Sequence, residues 1–83
     1  MPQKQMVMSI DEKLELLTVD ERELIYDAVM KTYGKMLPDG TSLEILYNYF
    51  KTIVEPNFNA RCGKCKKRVT AYWYQRLKSW KML

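Results

Sequence analysis

Apolar positions along this chain recur three and four residues apart rather than alternately, which is the period of a helix and not of a strand. Ile10, Leu14 and Leu17 fall on one face of a first short helix. Ser9 precedes it and Glu12 follows three residues on, a spacing in which hydroxyl and carboxylate each accept from the other residue's backbone N–H. Thr18 and Glu21 repeat the arrangement and open a second, longer helix over 19–35. Its apolar stripe is Ile25, Ala28, Val29, Thr32, Tyr33 and Met36. Leu37-Pro38-Asp39-Gly40 reads as a turn, because proline presets one backbone angle and glycine accepts positive φ.

Thr41 and Glu44 form a third capping pattern. The helix after it runs to about Val54 and is stopped by Pro56. Leu43, Leu46, Tyr47, Phe50, Ile53 and Val54 make its inner face, with Ile45 and Tyr49 off that stripe, so it is central or also faces a second chain. Asn59 is placed to cap a last helix over 60–81, with Phe58 as a staple just before the cap. On that helix Cys62, Cys65, Val69, Tyr72, Trp73, Arg76, Leu77 and Trp80 share one side. Lys64, Lys67, Arg68, Gln75, Lys78 and Lys81 lie largely on the other. The expected fold is all-α: a small bundle of three to four short capped helices, three if the first is only a turn. Residues 9–83 form the single helical domain. Residues 1–8 have no periodicity and read as a flexible arm, on which Met6 and Met8 can dock onto a neighbour.

Charge divides the chain in two. Residues 1–55 carry six basic and ten acidic side chains, and residues 56–83 carry eight basic and no acidic ones. A split of this kind points to an anionic partner for the C-terminal part: nucleic acid, an acidic protein face, or the acidic half of a neighbouring copy. The plain alternative is that the basic face packs beside the chain's own acidic helices. No apolar run approaches the roughly 20 residues that span a bilayer, and the first eight residues lack a leader's apolar core. The expectation is a soluble protein of the cytoplasm with no membrane partner.

Histidine is absent, which removes the commonest general base and a common metal ligand. Glu12, Glu15, Asp20, Glu21, Glu23 and Asp27 fall mostly in first turns or on polar faces, where capping and solubility account for them. With no nucleophile set and no phosphate loop, the reading is a protein that is not an enzyme and uses no cofactor.

Cys62-Gly63-Lys64-Cys65 admits three readings. A redox pair of the thioredoxin type requires a preceding strand, which the pattern lacks. A closed zinc site needs four ligands, so Cys62 and Cys65 suffice only if a second chain supplies two more. As small, often buried side chains, both also read as the start of the helix's core side. The basic-aromatic run is similarly open. Tyr72, Trp73, Arg76 and Trp80 suit a protein interface or self-association. Arg61, Lys64, Lys66, Lys67, Arg68 and Lys78 suit phosphate contacts, with bases stacking on the rings. Alternatively, Trp73, Leu77 and Trp80 are a core stripe with a solvated cationic back.

Residues 49–77, with Asn59-Ala60-Arg61-Cys62-Gly63-Lys64-Cys65 before a basic helix, resemble small helical proteins of tailed, crAss-like bacteriophages. The resemblance implies a setting rather than an activity: a phage protein, in the host cell or as an accessory component of the virion. Three functions stay open at this stage. They are a structural or interaction protein, a nucleic-acid-binding protein, and a zinc- or thiol-dependent oligomer.

Overall fold

The computed structural model describes residues 9–59 and 65–83. Expectations that fall on 1–8 (the arm) and on Ala60, Arg61, Cys62, Gly63 and Lys64 lie outside the described residues. Four helices follow one another: α1 Ile10–Glu15, α2 Val19–Met30, α3 Gly40–Ile53 and α4 Cys65–Ser79. No strand occurs among the described residues, so the fold is the expected small all-α bundle. None of these helices is long and apolar enough to cross a membrane.

The two N-terminal capping boxes form as the sequence dictates. Ser9 Oγ accepts from the Glu12 N–H at 3.2 Å while Glu12 Oε1 accepts from the Ser9 N–H at 2.9 Å. Thr18 and Glu21 repeat this at 3.1 and 2.9 Å. The third expected box does not form. Asp39, two residues before Thr41, takes the N-cap instead, and its Oδ2 accepts both the N–H and the hydroxyl of Ser42 at 2.9 Å. One ionised carboxylate accepts from two donors there, and its charge makes both bonds stronger than those of a neutral threonine hydroxyl. The Ser42 hydroxyl, the Ser42 N–H and nearby Lys31 hold the Asp39 carboxyl below its ordinary pKa.

α2 also ends earlier than its stripe suggests, at Met30 rather than near Lys35. The last turn tightens as Lys31 and Thr32 donate to the carbonyls of Ala28 and Val29. The Thr32 hydroxyl donates to the Ala28 carbonyl at 2.7 Å, and Gly34 turns left-handed with φ 74°. The chain therefore leaves the helix axis before Met36. Met36, expected on the apolar face, is 93% exposed, and Tyr33 is also exposed.

α3 is the central element and packs on α1, α2 and α4. The core is built from Leu14 of α1, Ile25, Ala28 and Val29 of α2, Leu46, Phe50 and Ile53 of α3, Phe58, and Val69, Trp73 and Leu77 of α4. Trp73 is its largest fully buried side chain. The Trp73 indole N–H donates to the Leu46 carbonyl at 3.2 Å, so the one polar atom of the ring is satisfied across the α3–α4 contact. Phe58 is buried against α3, with its ring 5.1 Å from Phe50 and 5.4 Å from Tyr47; the first turn on which it was expected to staple lies outside the described residues.

α4 closes with a left-handed C-cap arrangement: Met82 donates to the Leu77 carbonyl and Lys81 to the Lys78 carbonyl, both at 2.9 Å. Lys81 occupies the left-handed position, with φ 63°, normally given to glycine. Two outcomes follow. Trp73→Ala removes a buried ring and a hydrogen bond and costs about 3–5 kcal/mol in urea denaturation, comparable with the whole stability of so small a domain. Lys81→Gly relieves the backbone and adds about 1 kcal/mol of stability, read as a raised urea midpoint at unchanged slope.

Candidate interaction surface

The residues expected to bind a partner are largely turned inward. Trp73 is fully buried, so it is a core residue and not a surface anchor; the core-stripe reading of Trp73 and Leu77 holds. Tyr72 is half-buried between Phe50, 5.4 Å away, and Trp73, 5.1 Å away, with both ring pairs edge-on. Arg76 donates to the Tyr72 hydroxyl at 3.3 Å along its own helix and covers that ring. Trp80 is half-buried. The Arg22 guanidinium lies 4.7 Å over its ring and reaches the Glu15 carbonyl at 3.4 Å, which ties the end of α1 and the start of α2 to the C-terminus. These four side chains form a seam between helices.

The cations divide in the same manner. Arg68 pairs with Glu55 at 2.7 Å and overlies Phe50, so it is held against α3. Lys78 lies 5.4 Å from the Tyr74 ring and is exposed. Lys66 is half-buried and Lys67 exposed, and both line a groove of about 700 Å³. Arg61 and Lys64 lie outside the described residues. Cys65 is half-buried and packs against the core cluster, as the core reading of that helix side requires. Cys62 lies outside the described residues, and no group of three or more potential metal ligands occurs among those described.

The groove runs between the first turns of α4 and the turn that follows α2. Its floor includes Thr32, Thr70 and Ala71. Both threonines are buried, and each donates its hydroxyl proton to the carbonyl four residues back, Thr32 to Ala28 at 2.7 Å and Thr70 to Lys66 at 2.9 Å. The floor consequently offers little free donor capacity. One wall is Tyr33, stacked on Tyr74 with centroids 4.1 Å apart and planes 8° from parallel. The rim carries Lys35, Lys66 and Lys67, and at its edge stand Met36 and the adjacent Leu37, both 93% exposed. No ion pair engages these lysines among the described residues.

Sequence reading found Lys66 and Lys67 but missed Tyr33, Lys35, Met36, Leu37 and Thr70. The signal for Met36 and Leu37 was present: two large apolar residues confined between Gly34 and Pro38 have no helix face on which to hide. The chain matches no protein-family model, no curated protein and no solved structure.

Proposed function

We propose that this chain is a small non-enzymatic interaction protein that docks an acidic, partly apolar protein surface into the groove between the α2–α3 turn and α4. The observation that carries this reading is the combination at one place of three lysines with no ion pair among the described residues, an aromatic wall and two almost fully exposed apolar side chains. Exposed apolar groups rimmed by charge are the ordinary signature of a protein interface. The lysines steer and orient an acidic partner, while Met36, Leu37 and Tyr33 supply the desolvated contact. This modifies the sequence expectation, since the anchors are these residues and not Trp73. The setting implied by the resemblance of 49–77, an accessory component of a phage particle, belongs to the same proposal.

A nucleic-acid reading keeps one specific observation in its favour, the Tyr33–Tyr74 stack beside Lys78, Lys66 and Lys67. Against it, Tyr74 is half-buried and already stacked on Tyr33, and Arg68 is engaged by Glu55. Fluorescence anisotropy separates the two. A labelled acidic amphipathic helical peptide should bind at 50 mM salt, roughly tenfold more weakly to Lys66→Glu/Lys67→Glu, with residual affinity at high salt from the apolar contacts. Binding of a labelled single-stranded oligonucleotide instead, with affinity falling steeply in salt, would replace the protein-interface reading. If neither probe binds, the groove has no docking role.

A further inference from the structure

The groove end of the molecule has a counterpart at its other end. α2 has twelve residues, so about 18 Å of helix separates the turn that carries Met36 and Leu37 from the α1–α2 junction. At that junction lies a second depression of about 360 Å³, floored by Leu17, Tyr49 and Ile53, with Leu16 beside it 68% exposed. Glu21 and Lys13 stand on its rim. Glu21 Oε2 accepts from the Tyr49 hydroxyl at 3.3 Å, and burial together with that carboxylate holds the Tyr49 pKa above its ordinary value. Tyr49 thus stays a neutral donor and part of the floor at any physiological pH.

The two ends carry opposite charge. Residues 9–23 hold Asp11, Glu12, Glu15, Asp20, Glu21 and Glu23 against Lys13 and Arg22, a net −4, and Lys81 follows Trp80 at the same end. Of Lys13 and Arg22, the latter is occupied over Trp80. The groove end holds Lys31, Lys35, Lys66 and Lys67 against Asp39, a net +3. One end presents a projecting apolar pair beside lysines, and the other an apolar depression with Glu21 and Lys13 on its rim, within the acidic α1–α2 segment.

We propose that the acidic partner of the groove end is the α1–α2 end of a second copy of this chain, joined head to tail, with Met36 and Leu37 of one copy seated against Leu16, Leu17 and Ile53 of the next. The inference rests on the docking role proposed for the groove and names its occupant. Because the two joined surfaces differ, the contact is heterologous: each copy keeps one free end, and copies add until a ring closes or a filament grows. Charge complementarity sets the order of ends, since tail-to-tail contact would bring eight lysines together and head-to-head contact would oppose like carboxylates.

A mixing experiment by sedimentation velocity tests this. The unmodified protein should associate with rising concentration at low salt and dissociate as salt is raised. A head variant, Glu15→Lys/Leu16→Ser, and a tail variant, Lys35→Glu/Leu37→Ser, change exposed side chains only and should each keep the helical circular dichroism and sediment as monomers. Mixed, they should form one-to-one pairs and nothing larger, because each supplies the end the other lacks. Unmodified protein that stays monomeric, either variant still associating alone, or a mixture that remains monomeric or grows past the pair overturns the head-to-tail assembly. Monomeric protein that nevertheless captures the acidic peptide at the groove overturns only the second copy as partner. Protein that neither associates nor binds the peptide overturns the docking role as well.

Discussion

The hydrogen bond from the Trp73 indole to the Leu46 carbonyl, within a fully buried contact between α4 and α3, is the constraint from which the rest of the arrangement follows. A buried indole N–H without a partner is costly, so the ring has one acceptable depth and orientation. With Trp73 so placed, Val69 and Leu77 face inward and Thr70 closes against the end of α2. Arg76 is confined to the Tyr72 ring, and Lys67 and Lys78 are left on the outside. The most basic helix thereby contributes its aromatic side to the core and its cations to the surface.

This orientation also settles how the chain's charges are disposed. α2 and α4 are in contact, yet no ion pair joins them among the described residues, and the pair found there, Arg68 with Glu55, joins α4 to the end of α3. The acidic helices do not neutralise the basic one. The molecule is left with an acidic end and a basic end, each with apolar side chains in water beside the charges. Charge alone would bring a partner in without fixing its position; in the proposed docking the projecting Met36 and Leu37 give the encounter a place to seat.

Much of the fold was legible in the sequence because local rules agreed with the global packing. The Ser9 and Thr18 boxes and the inward positions Leu14, Ile25, Leu46, Phe50, Val69 and Leu77 all lie where spacing puts them. The errors came where two local signals competed. Asp39 outbid Thr41 as a cap because its carboxylate accepts from two groups of Ser42. Periodicity carried the α2 stripe on to Met36, but the Thr32 hydroxyl bond and the left-handed Gly34 end the helix first. Trp73 was ambiguous for a different reason. Tryptophan among cations suits a core and an interface equally well, and only the depth of the α3 contact decides between them. The groove was not legible because its walls come from segments thirty or more residues apart, Tyr33 to Met36 and Lys66 to Ala71, which meet only in the folded bundle.

The central claim is that the working surface consists of two separated, complementary ends and not the tryptophan seam. Amide chemical shifts of isotopically labelled protein, followed on dilution at low ionic strength, address it most directly. The account predicts that two groups of signals move together with concentration, one at 13–21 and 49–53 and one at 33–37 and 66–71, while Trp73 and its neighbours in the core stay fixed. Shifts confined to a single end, shifts centred on Trp73 and Trp80, or none at all would contradict it.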